Sequence, residues 1–171
     1  MDSKEWARLT LLNHAGHRVD PGFPSIIGAL RPYTGLDETY FWTLIKSGII
    51  LGEDLQSERV PKSLVYAAWD FQSCVHPLCD LLERNRLEDP VRIQTFRRWA
   101  SCFDSYCLGT FRGLPLPDRL FSVLEYISSD ACLDVSAYQS FLPTLEAIRF
   151  EADWECRPVL ERAIADIRNA I

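Results

Sequence analysis

The sequence contains no long run of apolar residues. The apolar stretch at 48–52 is far shorter than the ~20 residues that a membrane-spanning helix needs. The first five residues are polar and of mixed charge, and they lack the basic-then-apolar order of a secretory signal. We therefore expect a cytoplasmic protein without a membrane segment, whose six cysteines stay reduced and behave as small apolar side chains.

Lysine and histidine are scarce. Only 3 of the 18 basic residues are Lys, and there are 3 His. The net charge is −6, and residues 113–171 alone carry −5, from 5 basic and 10 acidic residues. Five arginines between Arg84 and Arg98 alternate with acids, which indicates a salt-bridged surface. Because nucleic-acid binding relies on Lys and Arg, we expect no nucleic acid and instead a protein partner with a basic surface.

The chain also lacks the motifs of the common catalytic classes. It has no G-x-S-x-G elbow, no glycine-rich phosphate loop and no H-E-x-x-H pair. Adjacent acids such as Asp37-Glu38 and Glu88-Asp89 are typical of the first turn of a helix, where the helix dipole favours negative charge. The sequence therefore predicts no catalytic residue and no cofactor, and it favours a protein that is not an enzyme.

Three potential metal ligands, Cys74, His76 and Cys79, fall within six residues. A structural zinc site needs four converging ligands, usually in two closely spaced pairs, and no second pair follows at a suitable distance. We predict no metal here. The alternative is a small helical enzyme, or a ligand- or metal-binding domain, with its site near His76, where Pro77 predicts a break in a helix.

Helical periodicity is the strongest pattern that the sequence does contain. Apolar residues recur at spacings of 4, 3, 4, 3 and 4 from Leu64 to Leu82, and of 3, 4, 3 and 4 from Ile93 to Cys107. The apolar phase survives Pro77, so we expect a kink there. No alternating β-branched segment of useful length is present.

These patterns predict an all-α protein. The length fits one domain over residues 1–171. Proline and glycine divide the chain into about six to eight helices, several of them expected to be kinked at proline. The number of prolines argues against a regular up-down bundle, so we expect an irregular or orthogonal one.

The last predicted helix, opened by Pro143, carries the candidate site. At 100° per residue Glu146 and Asp153 would lie about 20° apart on this helix, and other acids would lie across its exposed arc. A tryptophan among acids suits an interface anchor. The predicted partner-binding residues are Glu146, Glu151, Asp153, Trp154 and Glu155.

The predicted function is that of a protein-binding inhibitor or adaptor. The profile of a small, acidic, helical protein without catalytic motifs is similar in type, though not in residues, to that of bacterial immunity proteins, which neutralise toxin domains by occluding them. By that likeness the acidic face would cover a basic toxin or enzyme site. A further possibility is a subunit whose exposed helix face packs against a copy of itself.

Overall fold

The computed structural model describes residues 1–17, 20–30, 35, 37–129, 131–132, 134–153 and 155–171. Within these ranges the chain is all-α, as predicted, and contains no β-strand. The helices are α1 (Ser3–His14), α2 (Ile26–Ala29), α3 (Glu38–Ile50), α4 (Gly52–Gln56), α5 (Lys62–Arg84), α6 (Pro90–Phe111), α7 (Leu116–Arg119), α8 (Phe121–Ile127), α9 (Leu142–Ile148) and α10 (Cys156–Asn169), with a 3₁₀ helix (Val135–Phe141) before α9. Half of these ten helices have only four to seven residues, which is why the described helices outnumber the six to eight predicted.

The two apolar seams predicted from the spacing are confirmed. All members of the seam on α6 are buried, and so are those on α5 except Ala68, which is exposed in part. α5 and α6 are the longest helices, with 23 and 22 residues, and they pack side by side. No described helix combines the length and the apolar character needed to cross a membrane.

Proline occurs at the starts of the described helices more often than in their interiors. Pro90 is the first residue of α6 and Pro143 the second of α9, positions where the missing N–H costs nothing. Among the described prolines, Pro77 alone lies beyond the first turn of a helix, and α5 continues through it without a break.

Aromatic side chains fill the centre of the core, where α3 and α6 meet the C-terminal helices. The Phe41 ring of α3 stacks on the Trp99 ring of α6, with centroids 5.5 Å apart and planes 3° from parallel. Tyr126 of α8 meets Phe41 edge-on at 5.5 Å. On one side α1 packs against α3 and α5, and on the other α10 packs against α8, α9 and the 3₁₀ helix.

The prediction of one long last helix is wrong. α9 ends at Ile148 and α10 begins at Cys156, with Pro158 in the first turn of α10. Asp153 supplies the physical reason, because its Oδ1 accepts hydrogen bonds from the backbone N–H of Glu155 (3.0 Å) and of Cys156 (2.8 Å). Such a local acceptor starts a new helix. The helical angles assumed for the acidic residues therefore do not apply.

Candidate functional site

The predicted site residues lie in two different settings. Glu146 belongs to α9, whereas Glu151, Asp153 and Glu155 lie in the turn between α9 and α10 and are exposed. Trp154 lies outside the described residues, so its proposed anchoring role stays a prediction. The acids are thus gathered by a turn, and not by one helix face.

Glu146 is engaged within the molecule. Its Oε1 accepts a hydrogen bond from the Arg168 guanidinium of α10 at 2.6 Å. Arg149 makes the same kind of ion pair with Glu161, also of α10. These two ion pairs hold α9 and the start of the turn against α10. Glu146 therefore stabilises the fold and is less available to contact a partner protein.

The turn presents one large apolar side chain that sequence reasoning missed. Phe150 has 86% of its surface exposed and directly precedes Glu151. Ala152, two residues after Phe150, is buried, and the Ala152 carbonyl accepts a hydrogen bond from the Arg157 guanidinium at 2.9 Å. The buried alanine and its hydrogen bond fix the turn, so Phe150 is held outward by a firmly placed backbone. We call Phe150, Glu151, Asp153 and Glu155 the acidic turn.

The acidic turn borders a cleft of about 460 Å³. Asp153 and Glu155 lie on one side, and Asp118 of α7 contributes a third carboxylate. The side chains that complete the lining are largely apolar: Leu114, Phe121, Ser122 and Cys156. We call this the acidic cleft. Asp118 was not predicted, since nothing in the sequence indicates that α7 lies beside the start of α10.

The electrostatics of the acidic cleft favour a cation. Burial raises the pKa of the Cys156 thiol to about 11, and the charges of Asp118 and Asp153 add to the effect. The thiol stays protonated and donates to the Pro117 carbonyl at 3.3 Å. Glu151 and Glu155 make no ion pair with any described basic residue. A lysine ammonium or an arginine guanidinium is the group that this arrangement can bind, the latter through forked hydrogen bonds.

The three residues of the alternative site near His76 lie in different settings. Cys79 points into the core with no exposed surface, and burial raises the pKa of its thiol to about 11. His76 is exposed and Cys74 is half-buried. In the described part of the chain, no three His, Cys, Asp or Glu side chains are grouped as metal ligands would be.

Two buried polar groups have structural settings that the sequence did not reveal. Burial lowers the pKa of His14 to about 3. One ring nitrogen of His14 forms a hydrogen bond with the Thr43 hydroxyl at 2.9 Å, and the other accepts one from the Ile26 N–H at 3.2 Å. Burial raises the pKa of Glu38, against the opposing effect of several hydrogen bonds to its carboxylate. Both residues are at most 4% exposed, and neither lines a described cleft, so they hold helices together.

The arginine-rich region is salt-bridged, as predicted, at two of its members. Arg97 of α6 binds Asp80 (2.6 Å) and Glu83 (2.9 Å) of α5, and Arg92 lies 3.5 Å from Glu88. These acids partly neutralise the surface, which gives no support to a nucleic-acid interface.

Comparison of the chain with protein-family models, with curated proteins and with solved structures finds no match. The geometry of the acidic turn and the acidic cleft is therefore the basis for inferring a function.

Proposed function

We propose that this protein binds another protein through the acidic turn and the acidic cleft, and that it acts there as an inhibitor or adaptor. The observation that supports the proposal most is the placement of Asp118, Asp153 and Glu155 around one cleft with an apolar lining, beside the exposed ring of Phe150. Charge and an aromatic anchor side by side are typical of protein-binding surfaces.

The partner would insert a basic side chain into the acidic cleft. A lysine or arginine could lay its aliphatic stem along Leu114 and Phe121 while its charged end meets the carboxylates. Phe150 would then pack on an apolar patch of the partner next to that basic residue. In this arrangement the charges steer the approach and fix the orientation, and the aromatic ring supplies buried area.

Inhibition would follow from occlusion. A toxin or enzyme that acts on a polyanionic substrate presents basic residues at its site, and a surface with this charge and shape would cover them. The net charge of −5 over residues 113–171 would also speed the encounter with such a partner. A cytoplasmic, immunity-type role is the specific form of the proposal.

The test is differential capture from the native cell lysate. The tagged protein is compared with a triple variant, Asp118→Asn, Asp153→Asn and Glu155→Gln. Asparagine at 153 keeps the oxygen that caps α10, so the substitution removes charge while preserving the local structure. A control triple variant, Glu58→Gln, Glu125→Gln and Asp166→Asn, changes the net charge equally at sites outside the cleft.

We expect one stoichiometric basic protein to be captured by the wild type and by the control, to be released at high salt, and to be lost with the cleft variant. Capture of the same partner by the cleft variant would show that the acidic cleft is not the binding surface. If both triple variants lose the partner equally, capture depends on the overall charge of the protein, and the proposal of a specific site is contradicted.

A further inference from the structure

A second cleft lies between α6 and α8 and has a volume of about 280 Å³. We call it the polar cleft, because every side chain that lines it carries a polar group: Arg98, Ser101, Cys102 and Ser105 from α6, and Ser122 and Glu125 from α8. It adjoins the acidic cleft, since Ser122 lines both, but it shares none of the three carboxylates of that cleft. Its chemistry is therefore different, because it combines one cation, one anion and several hydroxyls.

The floor of the polar cleft ties the two helices together. Cys102 is 1% exposed, and its thiol donates a hydrogen bond to the Ser122 carbonyl at 3.3 Å. Arg98, Ser101 and Ser105 follow one another at spacings of three and four residues, so they lie on the face of α6 that also carries Cys102. The lining is thus placed by two helices that pack against each other, and not by a loop.

Arg98 and Glu125 place opposite charges at this floor without neutralising each other. Burial raises the pKa of the Cys102 thiol to about 11, and the Arg98 charge opposes this rise whereas the Glu125 charge adds to it. Both charges therefore act on the same buried sulfur. Neither residue forms an ion pair with the other or with any further residue of the described ranges. The neighbouring Arg97, by contrast, is paired with two acids of α5.

A cation and an anion that face one cleft unpaired are complementary to a ligand that carries both charges. The Arg98 guanidinium can bind a carboxylate through forked hydrogen bonds, and the Glu125 carboxylate can accept hydrogen bonds from an ammonium group. The serine hydroxyls can donate or accept, so they suit either end of such a ligand. We propose that the polar cleft binds a small zwitterion of the α-amino acid class.

Ligands with a single charge fit this cleft less well. A phosphate or a carboxylate alone would meet the like charge of Glu125, and an amine alone would meet that of Arg98. The volume of about 280 Å³ also lies below the roughly 300–1,000 Å³ of clefts that hold drug-sized ligands, so the ligand is small. Because a small ligand makes few contacts, we expect a dissociation constant of about 1 mM.

Titration of the ¹⁵N-labelled full chain, followed by NMR, tests the proposal. The probe is free serine, added to about 50 mM at constant ionic strength. No protein partner is present, so the outcome does not depend on the proposed protein-binding function. We expect saturable shifts of the backbone amides of α6 and α8 around the polar cleft. Acetate and methylamine, which each carry one of the two charges, should bind more weakly by roughly tenfold or more.

Two variants each remove one charge from the polar cleft, Arg98→Gln and Glu125→Gln. Both residues are exposed, so the fold should be retained, and the same spectra would show whether it is. Each variant should weaken the binding of serine by roughly tenfold or more. The matched controls are Arg112→Gln and Glu58→Gln, at exposed positions outside the polar cleft, and they should bind serine like the wild type.

Several results would overturn the proposal. The wild type would show no saturable shifts with serine at the highest concentration, or a folded charge variant would bind serine undiminished. Equal weakening by the controls would mean that only the overall charge of the protein matters. Binding of acetate or methylamine as tight as that of serine would show that one charge is enough, which contradicts a site for a zwitterion.

Discussion

The carboxylate of Glu38 accepts a hydrogen bond from the hydroxyl of Tyr126, 88 residues further along the chain, and both side chains are buried. The same carboxylate oxygen lies 3.3 Å from the Tyr138 hydroxyl, and the other accepts the backbone N–H of Asp134. Tyr126 in turn accepts from the Trp99 indole at 2.9 Å. One carboxylate at the start of α3 therefore joins α8 and the 3₁₀ helix region, with α6 attached through Trp99.

Removal of this carboxylate should be costly. Glu38→Ala leaves the buried hydroxyls of Tyr126 and Tyr138, and the Asp134 N–H, without their acceptor, so we expect a loss of about 3 kcal/mol or more in unfolding free energy. Glu38→Gln should cost less, because the amide can still accept one bond and donate another. Urea denaturation measures both variants. The exposed Glu58→Ala serves as control, with an expected change within about 0.5 kcal/mol, and equal losses at positions 38 and 58 would contradict the structural role of the network.

His14 should make stability depend on pH. Its pKa is about 3 in the folded protein and about 6.5 in the unfolded chain, so between these values the unfolded state binds more protons. Stability is therefore complete above pH 6.5 and falls as the pH drops toward 3, by about 2 kcal/mol between pH 7 and pH 5. Denaturation at several pH values checks this.

His14→Gln should remove most of that pH dependence, although it lowers stability at every pH. The control is His76→Gln, since His76 is exposed and the substitution replaces a histidine outside the core. Equal slopes for the wild type and His14→Gln from pH 7 to pH 5 would show that His14 is not buried as a neutral ring.

Gly48 should resist replacement even though it lies within α3. A Cβ at this position would come within 2.8 Å of the Tyr106 ring, which is fully buried and cannot move aside. Alanine favours a helix over glycine by about 1 kcal/mol, but the overlap should dominate and give a net loss of about 1–3 kcal/mol for Gly48→Ala. Thermal unfolding measures the sign. Ser105→Ala at an exposed site of α6 is the control, and a stabilised Gly48→Ala would mean that α3 and α6 are less tightly packed.

Replacement of Phe150 should weaken partner binding and leave the stability of the fold unchanged. Phe150→Ser removes a side chain that is 86% exposed, so the unfolding free energy should change by no more than about 0.5 kcal/mol. Capture of the proposed partner should nevertheless weaken by roughly tenfold or more, as for an aromatic anchor. Met1→Ser, at a residue 76% exposed in another region, is the matched control. If Phe150→Ser captures the partner as well as the wild type does, the Phe150 ring is not part of the interface.

The helical class and the buried seams could be predicted because they depend on local spacing. Leu64 and Ile93 begin patterns that each lie within a single helix, and burial follows from periodicity alone. The split between α9 and α10 could not be predicted in the same way. It depends on Asp153 capping a new helix and on Arg149 and Arg168 pairing with residues that the chain brings near only after folding.

The candidate site was predictable only in part for the same reason. Glu151, Asp153 and Glu155 are close in sequence, and their excess of charge is visible there. Asp118 joins them from 35 residues before Asp153 through tertiary packing. The exposure of Phe150 depends on the fold of the turn after α9, in which Ala152 is the buried residue.

The cysteines can report the local opening of different parts of the fold. Burial raises the pKa of five of the six thiols, those of Cys79, Cys102, Cys107, Cys132 and Cys156. Because the thiolate is the reactive form of cysteine, each of these sulfurs should react slowly with an alkylating reagent until its own surroundings open. They are distributed over α5, α6, α10 and the residues before the 3₁₀ helix. The times at which they become labelled would therefore reveal whether the fold comes apart in one event or helix by helix.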